Sequence, residues 1–384
     1  MQFEFATATE IVFGVGVATA AGPRIARFGT RALLVTGAAA GRAATIVTAL
    51  DAAGIHIATY SVRHEPTLDD AREATALARE HQAELVVACG GGSAIDLGKA
   101  VAALLANPGD PLEYVEVIGR GRPIDNRSVP FVAIPTTAGT GAEVTKNAVL
   151  GAPDEGIKVS VRSPHILARL AVVDPALTVD LPPGLTAATG LDALTQLLEP
   201  FVSAKANPLV DALCLEALPR LVRALPRAVA NGTDLEARTD MAFASLCSGL
   251  ALANAGLGAV HGFAAAIGGR FDIAHGAVCA ALLPSATRIN IRALRERAAD
   301  NPALERFRTL ASVVTGRPAA APDTLADWLY RLTSDLHVPG LAAYGITAQD
   351  ADGIVAGAAR ANSMRSNPLP LERGELEEIL AASL

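Results

Sequence analysis

An α/β N-terminal dinucleotide-binding domain with a parallel sheet, followed by an all-α C-terminal domain, is the fold this sequence predicts. Two observations lead there. Strand-like and helix-like segments alternate through the first half, and almost every segment after Asp180 has helical composition. At 384 residues, 51% of them apolar, the chain is long enough for two cores, expected at 1–180 and 181–384.

Taken in order, Ile11-Val12-Phe13-Gly14 reads as an edge strand with a Gly-rich turn. Leu33 to Thr36 is a short apolar run ending at Gly37. Ala43 to Ala53 has helical composition, and His56 to Ser61 alternates as a strand does. Leu68 to His81 reads as a helix. Leu85 to Cys89 is a continuous apolar strand running into Gly90-Gly91-Gly92, Ser93 to Ala106 is a helix, and Phe131 to Ile134 is another buried strand. Such continuous apolar runs belong to sheets covered on both faces. Pro182-Pro183 then marks a boundary. Beyond it the helical segments are Leu191 to Phe201, Pro208 to Arg223, Leu235 to Ala253, Leu304 to Thr315, Thr324 to Leu336 and Glu375 to Leu384. A ligand is expected in the crevice between two such domains, where strand C-termini face the helices.

Composition excludes several function classes. Net charge is −7 with no basic block, and aromatics are only 4%, so neither nucleic acid nor an anionic membrane is an expected partner. Gly249 to Gly269 is nearly uncharged and long enough to cross a bilayer, but its six glycines, Asn254 and His261 favour a buried helix or pair of helices. The N-terminus has no basic n-region followed by an apolar run, which predicts a cytoplasmic protein. Cys89, Cys214, Cys247 and Cys279 form no CxxC pair and read as small buried hydrophobes.

Three segments carry chemistry. Gly90-Gly91-Gly92-Ser93 lies where a buried strand gives way to a helix. Glycines admit a diphosphate close to the backbone, and Ser93 is placed to cap a helix whose free N–H groups favour phosphate. A tight turn with nothing bound fits the same glycines. Pro135-Thr136-Thr137-Ala138-Gly139-Thr140-Gly141 follows the next strand and offers hydroxyls to a sugar, phosphate or carboxamide, or is simply a polar loop. Finally, Asp192 and Gln196 are one helical turn apart and share a face, with His261 and His275 downstream. Together these four suit a divalent cation such as Fe²⁺ or Zn²⁺. Gln196 is the weak member, because a neutral amide oxygen stands where an imidazole would bind better. Each histidine precedes a glycine, Gly262 or Gly276, read as leaving space beside the ring.

Phe13-Gly14 with Gly16, Gly-Gly-Gly-Ser-Ala-Ile-Asp96, Ile134-Pro-Thr-Thr-Ala-Gly-Thr-Gly-Ala-Glu143, Val173-Asp-Pro175 with Leu181-Pro-Pro183, Thr186 to Thr195, and the two histidine segments follow one another in order. In that register the chain resembles the iron-containing (group III) alcohol dehydrogenases, a family that includes maleylacetate reductases. The resemblance implies an NAD or NADP cofactor on Gly91, Gly92 and Ser93, with Thr136, Thr137 and Thr140 lining the phosphate and nicotinamide region. It places Lys158 by the nicotinamide ribose, Leu177 by the adenosine, and Gly37 where many NAD-preferring members carry Asp, so NADP is tolerated with Arg42 near. Asp192, His261 and His275 match three of the family's four metal ligands; the fourth, normally histidine, is Gln196. Ala265 stands where another histidine often lies near the nicotinamide. The implied activity is hydride transfer between nicotinamide and a small alcohol or aldehyde, with Asp192, His261 and His275 catalytic and a homodimer as the usual assembly. Two rivals remain open: a metal-independent carbonyl reductase of the maleylacetate reductase type, and a nucleotide-binding paralogue without turnover.

Overall fold

The computed structural model describes residues 2–271 and 273–384. The chain forms two compact units, Phe5–Asp180 and Leu181–Leu384, the latter joined by the N-terminal residues up to Glu4.

The first unit contains strands β1 (Ile11–Phe13), β2 (Arg31–Thr36), β3 (His56–Ser61), β4 (Leu85–Gly90), β5 (Phe131–Pro135), β6 (Asn147–Ala152), β7 (Ile157–Arg162) and β8 (Leu170–Val173). Helices α1 (Gly22–Ile25), α2 (Ala44–Ala52), α3 (Leu68–Glu80), α4 (Gly92–Ala106) and α5 (Pro111–Tyr114) lie between them. Six strands pair in the order β1-β8-β5-β4-β2-β3, every ladder parallel. The central strands β2, β4, β5 and β8 are buried almost throughout, which is why they read as unbroken apolar runs. Leu34, Val87, Val132 and Val172 from these strands pack with Ile25, Ile46 and Leu50. The edge strand β3 is only partly buried and alternates accordingly.

Strand order reverses direction at β2: the chain moves outward to β3, then returns to place β4 on the other side. The carboxyl ends of β2 and β4 therefore flank a switch point, where open parallel sheets collect ligands. Strands β6 and β7, which form a separate antiparallel hairpin, were not expected from the sequence. Strand β8 is a further addition, short enough to escape a periodicity reading.

The second unit, among the described residues, is helical: α6 (Pro183–Val202), α7 (Pro208–Ala230), α8 (Leu235–Ala255), α9 (Ala259–Gly268), α10 (His275–Arg297), α11 (Ala303–Thr315), α12 (Asp323–Asp335), α13 (Ala351–Arg360) and α14 (Arg373–Ala381). Helix α6 is its axis, packed on α7, α8 and α10, with Leu191 through Val202 all buried. A Cβ at Gly190 would meet Leu225 Cδ1 at 2.4 Å and Met241 Cε at 2.9 Å, so the close approach of α7 and α8 requires glycine there. The uncharged stretch from Gly249 to Gly269 is two helices, α8 and α9, which meet at 96°; no single described helix is long and apolar enough to cross a membrane.

Candidate active site and metal centre

At the switch point the glycine loop and the threonine loop face each other. A Cβ at Gly92 would lie 2.9 Å from Thr140 Cγ2, and one at Gly91 would lie 3.3 Å from Thr137 Cγ2. A Cβ at Gly90 would come within 3.0 Å of the Gly37 nitrogen, so Gly37 joins the same cradle from the end of β2. Pairing of the Thr136 N–H with the Gly90 carbonyl at 2.9 Å pins the two loops together. Helix α4 begins here without a side-chain cap, because Gly91 and not Ser93 is the N-cap residue. Ser93 sits one position inside the helix, which corrects the capping role expected for it. The uncapped N-terminus keeps its N–H groups and its positive dipole end for an anion.

Lys158 and Leu177 lie apart from these loops in sequence and have partners of their own. Lys158, on β7, pairs with Glu65. Leu177 packs against the core beneath the sheet. Below the cradle, the buried Lys99 ammonium donates to Asp96 at 3.1 Å, to Thr145 Oγ1 at 2.7 Å and to the Asn147 carbonyl at 2.7 Å. Burial pushes the nearby Glu143 carboxyl up to about 7, against the opposing pull of Lys99.

In the helical unit, Asp192, His261 and His275 converge. Asp192 Oδ1 is 3.4 Å from His261 Nε2 and 3.8 Å from His275 Nε2, and the two rings are 5.4 Å apart between centroids. Asp192 and His261 are buried, while 34% of the His275 side chain remains exposed and leaves one side of the cluster open. The chain is brought together by close helix contacts. A Cβ at Gly276 would be 2.6 Å from the Ala188 carbonyl oxygen of α6, and one at Gly262 would be 2.7 Å from Met364 Cε. Those glycines serve packing rather than clearance beside the imidazoles, contrary to expectation.

Two residues not expected from the sequence belong here. Glu199, one face-repeat beyond Asp192 on α6, accepts a hydrogen bond from His261 Nδ1 at 2.7 Å and another from the Val260 N–H at 2.7 Å. That fixes the ring with Nε2 turned toward Asp192. Cys279, one turn after His275 on α10, places Sγ 3.7 Å from His275 Nε2 and 3.9 Å from His261 Nε2. The ligand atoms of Asp192, His261, His275 and Cys279 all lie within 4.8 Å of one another. Cys279 is therefore not the inert hydrophobe its sequence context predicts; the i, i+4 spacing from His275 was its available signal.

Gln196 sits beside this group. Its Oε1 accepts from Ser248 Oγ at 3.4 Å, and its amide acts on the Asp192 carboxylate. Burial pushes Asp192 up, but His261, His275 and Gln196 together hold it below the usual carboxylate range. Burial likewise opposes charge on His261, yet Cys279, Glu199 and Asp192 raise it well above an ordinary imidazole. For Cys279 the penalty of burial is outweighed by the two imidazoles, and the thiol is lowered. Asp192 Oδ1 is buried with no hydrogen-bond partner, an expensive state for a carboxylate oxygen unless a cation is bound. The donor set and this orphaned oxygen fit a divalent metal ion.

Residues 8–175 match the iron-containing alcohol dehydrogenase family model, and residues 186–384 match the C-terminal model of the same family. The chain belongs to the iron-containing alcohol dehydrogenase family. Long-chain-alcohol dehydrogenase 1 of Geobacillus thermodenitrificans is 37% identical over 336 residues, 86% of this chain and 82% of its own. The crystal structure of a 1,3-propanediol oxidoreductase superposes with a TM-score of 0.92 at 32% identity, over 100% of both chains. Sulfoacetaldehyde reductase from Bifidobacterium kashiwanohense, solved with NAD⁺, matches at a TM-score of 0.85 and 28% identity, covering 100% of this chain and 99% of that one. Members of this alcohol dehydrogenase family use NAD(P) and a metal, and this chain is an oxidoreductase of that kind.

Proposed function

We propose that the protein interconverts a small alcohol and its aldehyde, using NAD or NADP and a divalent ion held by Asp192, His261 and His275. The convergence of Asp192 Oδ1, buried and without a hydrogen bond, with imidazole nitrogens 3.4 and 3.8 Å away carries this reading.

A divalent ion supplies Lewis acidity toward a substrate oxygen, and the nicotinamide supplies or accepts the hydride. The remaining work falls to the chain. Gly91, Gly92 and the free N–H groups at the start of α4 bind the cofactor diphosphate, and Thr136, Thr137 and Thr140 hydrogen-bond around it. Asp192 and His261, shut away from water, hold fixed orientations, and Glu199 keeps the proton of His261 on Nδ1. The exposed edge of His275 leaves a route for substrate. Gln196 positions Asp192. Ala265 carries no proton, so no relay runs through that position.

With Gly37 in place of an acid, nothing repels a 2′-phosphate, and both cofactors are accepted. Lys158 and Leu177 are assigned to the ribose and adenosine on the strength of the resemblance, as is a homodimer working in the cytoplasm. Steady-state kinetics with NADH and NADPH across a panel of aldehydes, before and after chelation, test this. Chelator-sensitive aldehyde reduction is expected; undiminished turnover by metal-free protein would overturn the metal assignment, and nucleotide binding without turnover would overturn the enzymatic one.

A further inference from the structure

We infer that Cys279 is the fourth metal ligand of this chain, replacing the ligand lost at position 196, and that the resulting oxygen, two-nitrogen and sulfur set favours zinc over iron. The inference rests on the proposed metal site at Asp192, His261 and His275.

Two observations carry it. The first is shape: four donors at zinc bond lengths, about 2.0–2.1 Å for N and O and about 2.3 Å for S, define a tetrahedron with edges of roughly 3.3–3.6 Å. Four of the donor–donor edges measure 3.4 Å for Asp192 Oδ1 to His261 Nε2, 3.8 Å for Asp192 Oδ1 to His275 Nε2, 3.7 Å for Cys279 Sγ to His275 Nε2 and 3.9 Å for Cys279 Sγ to His261 Nε2. Each of these four edges lies within a few tenths of an ångström of such a tetrahedron, and all four donor atoms lie within 4.8 Å of one another. The second is the orphaned Asp192 Oδ1, in a side chain 2% exposed. It lies in the same cluster as Sγ, so both anionic donors are directed at one point.

Thiolate is a soft donor, and zinc lies above ferrous iron in affinity for such sets. A shell with two anionic ligands cancels the ion's charge, whereas three imidazoles and one carboxylate leave a net positive centre. Such an ion would be a weaker Lewis acid, and the exposed edge of His275 would leave a side from which substrate could approach.

X-ray absorption of the purified, zinc-loaded protein, with near-ultraviolet spectra of a cobalt-loaded sample, tests this independently of turnover. One sulfur scatterer at about 2.3 Å and a thiolate-to-cobalt charge-transfer band are expected. Both should vanish in Cys279→Ala, where Cys89, Cys214 and Cys247 remain, and metal affinity should drop at least tenfold. Gln196→His in the Cys279→Ala background should recover affinity with a sulfur-free shell. Metal bound by nitrogen and oxygen alone in the parent protein would overturn the role of Cys279 while leaving the proposed function standing. Failure to bind any divalent ion would overturn both. The parent spectra decide even if a variant does not fold.

Discussion

The loops that end β4 and β5 offer a ligand mostly backbone, whereas the cluster on α6, α9 and α10 offers only side chains. In the first region the critical property is the absence of Cβ atoms at Gly91 and Gly92, each facing a threonine. In the second it is donor chemistry at four buried or half-buried positions, locked by helix packing. One region should therefore fail through added bulk and the other through lost donors. Each failure should leave the other region intact.

Asp192→Ala should have the largest effect. It removes an anionic donor from a dry site, and metal affinity should fall by more than about 100-fold, beyond the range typical of supporting groups. Nucleotide binding, read by NADH fluorescence, should not change; loss of both would show that the two regions are not separable. Glu199→Gln comes next. It keeps the shape but weakens the anchor on His261 Nδ1, so metal affinity should drop roughly 10- to 100-fold, measured by competition with a chromophoric chelator. An unchanged affinity would mean that the ring is oriented by packing alone.

Gly92→Val inverts the comparison. The new side chain meets Thr140, at about 1–3 kcal/mol for overpacking, so cofactor Kd should rise roughly tenfold or more while metal content stays constant. The smallest effect concerns the buried network around Lys99, which lies beside Glu143. A carboxyl raised to about 7 in the fold but ordinary when unfolded binds more proton in the native state over that interval. Stability is thus greatest below about 4.5 for this group and is lost as pH rises toward about 7. Glu143→Gln should flatten that slope, a shift of a few degrees in Tm.

The same contrast explains what the sequence made legible. Strands β2, β4 and β5 and the loops after them are contiguous, so apolar runs ending in glycines signal both the parallel sheet and the cradle. The hairpin β6–β7 escapes such a reading because its partly exposed strands lack a continuous apolar run. Among the helices, α9 is hard to delineate because Gly256, Gly258, Gly268 and Gly269 lie at or beside its ends, and α10 because Gly276 and Pro284 interrupt the composition on which helix recognition depends. The Asp192, His261 and His275 set was readable through resemblance. Cys279 and Glu199 were not, because a lone cysteine looks like a small hydrophobe and a lone glutamate like a solvated charge. Their place emerges only from the packing of α6 on α10 and from the close approach of Gly258 to Glu199, where an added Cβ would lie 3.0 Å from Oε1.

In the proposed mechanism a divalent ion on Asp192, His261 and His275 is needed for hydride transfer. Its most direct test is elemental analysis of protein purified without chelator, paired with aldehyde-dependent NAD(P)H oxidation before and after metal removal and restoration. One ion per chain is expected, with activity falling on its removal and returning when zinc or iron is added back. Fully active protein containing no metal would contradict it.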